Sequence, residues 1–236
     1  MNNEALLRLK QVSKSYEVGA ERVIALQPID LEIYEKEYIS ISGPSGSGKS
    51  TLLSIIGLID TPSKGDYTIK NRNVTDLGAD QLSSLRNLHF GFIFQSFHLI
   101  DELSVYENVA LPLRYRNESL SETEIREQVQ SVLAKVQMDH RTQFNPNHLS
   151  GGQQQRIAIA RALAGKPSIL LVDEPTGNLD TKNGDAIMNI FDDLNDTGTT
   201  ICMVTHDARH SNRAKTKYHL LDGGIEQEKA QVLELA

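Results

Sequence analysis

The chain has 236 residues, 39% hydrophobic and 23% charged, the ordinary mixture of a globular protein with a proper core. Its 24 basic and 31 acidic side chains leave a net charge of −7, which argues against a general nucleic-acid binder but allows a local phosphate site built from backbone N–H groups. No apolar run reaches the roughly 18 residues of a membrane span, the start MNNEALLRLKQ lacks a secretory apolar region, and the single cysteine, Cys202, reads as a buried inert thiol in a reducing compartment.

In chain order, residues 6 to 42 read as short strands: Ile29, Leu31 and Ile33 alternate with charged residues, the period of a sheet with one wet face. Tyr38 to Ser42 reads as a further strand that runs straight into a glycine-rich stretch. Thr51 to Leu58 predicts a buried helix with Gly57 near its end, and Pro62 and Gly65 punctuate a turn-and-strand region over 60–75. Ile125, Val129, Val132, Leu133 and Val136 fall at helical spacing, and about residues 95 to 165 read as a mostly helical insertion. Ile169 to Val172 has the uninterrupted apolar character of a strand buried on both faces. A helix with Ile187, Ile190, Phe191 and Leu194 on one side follows, then a strand over Thr200–Thr205. There is no internal repeat. The expected organisation is one α/β domain over 1–236, with 1–94 and 166–236 as its core and 95–165 as a helical subdomain.

Gly43, Pro44, Ser45, Gly46, Ser47, Gly48, Lys49 and Ser50 fit G-x-x-x-x-G-K-[ST], between a strand and a helix as that pattern requires. Glycines let the backbone turn tightly and approach phosphates where a Cβ would obstruct it. Successive N–H groups then point into one concavity, and the helix N-terminus adds partial positive charge. Lys49 is expected to neutralise the β- and γ-phosphates of a nucleotide, and the Ser50 hydroxyl to ligate Mg²⁺.

The apolar strand before Asp173 and Glu174 delivers two carboxylates. In a protein with such a loop, an aspartate at a strand end holds the Mg²⁺ shell opposite the loop. Adjacent residues on an extended strand point to opposite sides, so Glu174 is free to face the γ-phosphate and polarise an attacking water as general base. Pro175 is expected to restrict Glu174 to extended conformations. Without the upstream loop, the two acids would read equally well as the start of a polar loop or a helix cap.

Leu149-Ser-Gly-Gly-Gln153 precedes an apolar-basic helix. Ser150 is a natural N-cap, and Gly151 and Gly152 leave the backbone amides uncovered, so this terminus is a second candidate anion site or a simple cap.

These motifs, in this order, resemble the ATP-binding cassette (ABC) ATPases over nearly the whole chain. The order is the phosphate loop at 43–50, Gln95, LSGGQ at 149–153, the acidic pair at 173–174, Gly177-Asn-Leu-Asp180 and His206. The resemblance implies a P-loop fold with a RecA-like core, an N-terminal antiparallel β-subdomain and an inserted helical subdomain. It also implies ATP and Mg²⁺ as cofactors, and a head-to-tail dimer of two copies enclosing two ATP molecules. By the same carry-over, Ser150, Gly151, Gly152 and Gln153 of one copy would meet the γ-phosphate held by residues 43–50 and Thr51 of the other. Tyr16 would stack on adenine, Gln95 would sense Mg²⁺ and the attacking water, His206 would contact the γ-phosphate beside Glu174, and Asp180 would line the dimer contact. Taken alone, Tyr16 is an ordinary sheet tyrosine and His206 an ordinary structural histidine.

The stretches FGFIFQSFHLIDELSVYENVALPL, SGGQQQRIAIARAL and DEPTGNLD are similar to the lipoprotein-release and macrolide-export (LolD/MacB-like) branch. That branch implies a separate integral membrane permease, with this chain peripheral on the cytoplasmic face of the inner membrane and no nucleic acid involved. The permease contact is expected near Gln95 to Leu113, where Phe97, Leu99, Ile100 and Leu103 cluster, although these four read equally well as core. The alternative is an ATPase of the same kind serving a non-membrane machine. The segment after His206, SNRAKTKYHLLDGG, departs from the family by being more basic and polar.

Overall fold

A computed structural model of the chain describes residues 4–19, 21–116 and 119–227. The expected spans 1–236 and 95–165 therefore include residues outside those described. Two long strands open the fold, β1 (Leu7–Val18) and β2 (Glu21–Ile33), followed by β3 (Tyr38–Ser42) and helix α1 (Lys49–Ile56). Then come β4 (Lys64–Ile69), β5 (Arg72–Asn73), α2 (Ala79–His89) and β6 (Phe90–Ile93). The helical stretch holds α3 (Val105–Arg114), α4 (Glu122–Lys135) and α5 (Gly151–Ala164). The chain continues through β7 (Ile169–Asp173), α6 (Thr181–Asp196), β8 (Thr200–Val204) and α7 (Ala208–Ser211), and ends with the hairpin β9 (Thr216–Leu221) and β10 (Gly224–Gln227).

The strands form two sheets. One is a four-stranded antiparallel sheet in the order β2-β1-β4-β5; the other has six strands in the order β10-β9-β3-β8-β7-β6. Within the second, β3, β6, β7, β8 and β9 pair in parallel and only β10 is antiparallel. Every residue of β8 and four of the five in β7 are buried, as a central strand requires. Alternation along these strands sends side chains into two separate cores. Leu170, Val172, Ile201 and Met203 join the core built by α3 to α6, while Ile39, Ile41, Leu171, Cys202 and Val204 join the one beneath α1, α2 and the antiparallel sheet. The parallel sheet is thus the wall between a helical layer and a β layer.

The expected α/β architecture is present, with three local differences. Where short strands were expected, β1 runs unbroken for 12 residues and β2 for 13. Register shifts between Leu9 and Ser15 interrupt the two-residue period, and Gln11 takes φ 51, so one bulged strand has the sequence pattern of several. Helix α1 starts two residues before the expected Thr51, because Gly48 in the left-handed conformation caps it directly at the end of the loop. α2, β6, α7 and the β9–β10 hairpin had no counterpart in the sequence reading: α2, for one, buries only Leu82 and Leu85, too few to show a period. α3, α4 and α5 each begin with a reciprocal capping box, Ser104/Glu107, Ser121/Glu124 and Ser150/Gln153, which satisfies the free amides of the first turn.

Cys202 is fully buried in β8, and burial pushes its thiol up to about 12. Phe191, on the inner face of α6, is also fully enclosed, among Ile187, Met188 and Leu194 of its own helix and the strands above. Phe191→Ala is expected to cost about 3–5 kcal/mol of stability, read as a lowered urea midpoint with an unchanged slope.

Candidate active site

β3 ends at Ser42, β6 at Ile93, β7 at Asp173 and β8 at Val204. The glycine-rich loop, Gln95, the acidic pair and His206 therefore all follow the carboxyl ends of parallel strands, the edge at which open α/β sheets hold ligands. A cavity of about 750 Å³ at this edge is lined by Ser45, Gly46, Gly48, Lys49, Ser50, Thr51, Gln95, Asp173, Glu174 and His206, with Val23, Ile24 and Ala25 of β2 as a less polar wall.

The loop's glycines are dictated by its surroundings. At Gly48, φ is 102 and a Cβ would lie 2.5 Å from the Ala25 carbonyl oxygen; at Gly43 it would lie 2.1 Å from that of Leu220. Only glycine threads between β2 and β9 at these points. The Lys49 ammonium folds back over the loop and donates to the carbonyls of Gly43 at 3.0 Å and Pro44 at 2.8 Å. The buried Ser47 hydroxyl has no partner.

Opposite the loop, the Asp173 carboxyl accepts a hydrogen bond from Ser50. Burial first, and then the charge of Glu174, hold this carboxyl above its ordinary range despite that bond and the nearby Lys49. Glu174 faces elsewhere: its Oε1 lies 2.8 Å from His206 Nδ1. The two acids thus have different partners, but Glu174 is not extended as Pro175 led us to expect. It takes φ 45 in a turn whose N–H donates to Val204 O at 3.0 Å and whose carbonyl accepts from Gly177 at 3.1 Å. These two backbone bonds outweigh the local preference of a residue before proline.

Residues 174–178 are gripped from three sides. Gln95 lies over Gly177, where a Cβ would come within 2.5 Å of its Nε2, and the Asn178 side chain donates to Gln95 O at 3.1 Å. From α5, the fully buried Gln155 donates through Nε2 to Pro175 O at 2.8 Å. From α7, His210 Nδ1 lies 3.1 Å from Thr176 Oγ1. Arg161 of α5 also holds the segment after Gln95, donating to the carbonyls of Phe97 (2.9 Å) and His98. Gln155, Arg161 and His210 were not singled out in the sequence. The signal for Gln155 was a polar residue on an α5 face otherwise filled by Ala158, Ile159 and Ala162.

Ser150 caps α5 and accepts from Gln153 N, leaving the amides of Gly151 and Gly152 in the first turn. None of Ser150, Gly151, Gly152 or Gln153 lines the cavity beside the phosphate loop. Gly152 abuts Asn183, which is held by Asp180, the N-cap of α6: Asn183 N donates to Oδ1 at 2.9 Å and its side chain to Oδ2 at 2.6 Å. Tyr16 does not line the cavity but lies beside Thr51, which does; it is 40% exposed, donating to Asp60 at 2.9 Å with Lys14 Nζ 5.0 Å from its ring centre. Of the expected permease contacts, Ile100 is exposed, but Leu99 packs against the helical core and Phe97 and Leu103 are half-buried.

The sequence pattern of the ABC transporter family matches residues 26–177. Across 92% of its length the chain is 45% identical to the macrolide export ATP-binding/permease protein MacB of Rhodopseudomonas palustris, but covers 33% of that longer protein. It is also 45% identical to the ABC transporter ATP-binding protein MJ0796 of Methanocaldococcus jannaschii, covering 94% of this chain and 96% of that one. The structure is similar to the dimeric, post-hydrolysis state of MJ0796 bound to ADP and phosphate, with a TM-score of 0.86 and 43% identity over 94% of this chain and 98% of that one. The chain thus spans about a third of the length of the macrolide-export relatives and nearly all of the cassette.

A carboxyl whose folded value is raised adds stability below its ordinary value and loses that contribution as pH rises through the folded one. Ionised Asp173 therefore weakens the ligand-free fold at neutral pH. Asp173→Asn is expected to raise the Tm of the nucleotide-free, divalent-free chain at pH 7 by a few degrees, with the gap closing below about pH 4. An equal Tm at pH 7 would contradict this account of the carboxyl.

Proposed function

The chain belongs to the ABC transporter family, and on that premise we propose that it binds and hydrolyses ATP to drive a separate membrane permease. The observation that carries the reading is the Glu174–His206 contact of 2.8 Å on the wall of the same cavity as the phosphate loop. The residues fit a bound nucleotide: a loop held against β9 and β2 at Gly43 and Gly48, where no Cβ can stand, open space above Gly46, and a lysine lying across the loop carbonyls. They also fit Mg²⁺, since the Ser50 hydroxyl, the Asp173 carboxylate and the Gln95 amide are hard oxygen donors that line the same cavity. Mg²⁺ bound there would offset charge on the β- and γ-phosphate oxygens.

In this reading the amides of residues 43–51 and the Lys49 ammonium hold the phosphates, and Tyr16 with Val23 and Ile24 receives the adenine. Glu174 accepts a proton from water as the water oxygen attacks the γ-phosphorus. The bond to the β–γ bridging oxygen breaks, leaving ADP and phosphate. His206 keeps the Glu174 carboxylate aimed and contacts the γ-phosphate. There is little covalent work for the protein to do, so positioning and charge account for most of the rate.

Because the α5 terminus does not line the chain's own cavity, its free amides suit a phosphate held by another copy. We propose a head-to-tail homodimer in which Ser150, Gly151, Gly152 and Gln153 close the partner's site and Asp180 lines the contact. Hydrolysis then removes the γ-phosphate that joins the copies, and the helical layer carries the opening to the permease, with the chain on the cytoplasmic face of the membrane. Among the described residues no helix is long and apolar enough to cross a membrane; in this reading the permease supplies the cargo path. A groove of about 320 Å³ between β6 and the helical layer, lined by Phe92, Phe94, Leu111 and Tyr115, suits the permease better than the half-buried Leu99. The branch resemblance makes this a mechanical transmission to events across the membrane.

Glu174→Gln is expected to bind ATP within about twofold of the wild-type affinity, yet to lose at least about a hundredfold in kcat. Near-normal turnover would remove Glu174 as the base. Charge placed in the groove by Tyr115→Asp should abolish co-purification of an integral membrane partner while ATP binding is unchanged; retention of that partner would discard the groove as the contact.

A further inference from the structure

The contact between Glu174 and His206 has a weakness. The His206 side chain is 68% exposed, so water competes for its bond to Glu174, and a hydrogen bond in such a place contributes little net free energy. The Glu174 N–H bond to Val204 O ties the loops at their bases, so a less accessible tie nearer their tips is needed if the carboxylate and the imidazole are to keep their geometry.

His210 occupies that position. It lies in α7, one turn beyond His206, and is 5% exposed. Its Nδ1 is 3.1 Å from the Thr176 hydroxyl and 3.8 Å from Asp207 Oδ2. Thr176 is two residues past Glu174 on one loop, and Asp207 directly follows His206 on the other. The loops are therefore tied at an exposed point, Glu174–His206, and at a buried one, Thr176–His210, with a cavity of about 130 Å³ bordered by both. The anchor on the second loop is firm. Asp207 caps α7 through the Arg209 N–H at 2.8 Å and pairs with the Arg209 guanidinium at 2.7 Å, and that guanidinium foremost holds the carboxyl down to about 2. Burial draws the His210 imidazole below its ordinary range against the pull of Asp207, with Arg209, Arg213 and Asp185 as the other charges that reach it. A neutral ring forms its bond to a hydroxyl in either tautomer.

We propose that His210 is a positioning residue for ATP hydrolysis, locking the loop of Glu174 to the loop of His206 through the Thr176 hydroxyl. It touches neither nucleotide nor water in this role, and the assignment rests on the hydrolytic reading above. A shift of about 1 Å in a catalytic group can cost up to a hundredfold in rate, so loosening this tie should lower turnover without changing how nucleotide is held.

The test compares steady-state Mg-ATP hydrolysis by the full chain with that of His210→Ala, His210→Asn, Thr176→Val and the Ala/Val double variant. His210→Ala and Thr176→Val are each expected to lose about tenfold in kcat, with KM for ATP changed less than about twofold. The double variant should be no worse than either single one, because both remove the same bond. His210→Asn, whose amide overlays the Nδ1 edge of the ring, should recover much of the loss. Wild-type kcat in Thr176→Val would overturn the proposal, as would additive losses in the double variant or an asparagine no better than alanine. If His210→Ala does not fold, Thr176→Val decides alone, since it exchanges a half-buried hydroxyl for a methyl group of the same size. Absence of hydrolysis by the wild-type chain would instead overturn the hydrolytic reading, and this assignment with it.

Discussion

A parallel strand cannot leave either face to water without exposing apolar side chains, and here the two faces of β3, β8, β7 and β6 are covered by different materials. One face lies under α3 to α6, the other against α1, α2 and the antiparallel sheet. Covering both faces fixes the direction and stagger of the strands, because a one-residue slip would turn every buried side chain to the wrong core. That stagger brings four strand ends level. The phosphate loop, Gln95, Asp173 and His206 are neighbours because the strands that precede them are held in register, not because any of them attracts another.

The same wall accounts for the division of labour among the loops. The turn at residues 174–178 takes a bond from Gln155 and a contact from Gln95 on the helical side, and a bond from His210 of α7. The turn that holds the candidate base is thus bonded both to the helical layer and to the segment after β8. Gln155 holds it from inside the core, where an unsatisfied amide is costly: its Oε1 already lacks a partner, and losing the Pro175 bond would strand the whole group.

Much of this was legible because the chemistry is local. The spacing from Gly43 to Ser50 specifies a cradle wherever a strand precedes it and a helix follows, and the apolar run before Asp173 announces a buried strand by composition alone. What escaped was set by distant partners. The true length of β1 was hidden by its bulges, and β6 by its four residues. The φ of 45 at Glu174 comes from backbone bonds to Val204 and Gly177, neither of which its neighbours in sequence foretell. His210 stood directly before the segment noted for being basic and polar and was not singled out, and its burial is a property of the assembled loops. For Tyr16 the structure gives a position beside Thr51 and a hydroxyl bound to Asp60, a contact across 44 residues that no motif records.

The enclosed thiol of Cys202 has a practical side. It is the single cysteine of the chain, fully buried in a central strand, with its ionisation pushed up to about 12, so thiolate-seeking reagents find almost nothing to attack while the fold is intact. The native surface is in effect already blank for thiol chemistry. Spin labels or fluorophores can be attached through introduced cysteines on the helical layer or beside the phosphate loop without first deleting the natural one. Conversely, slow modification of Cys202 itself would be a clock for opening of the sheet.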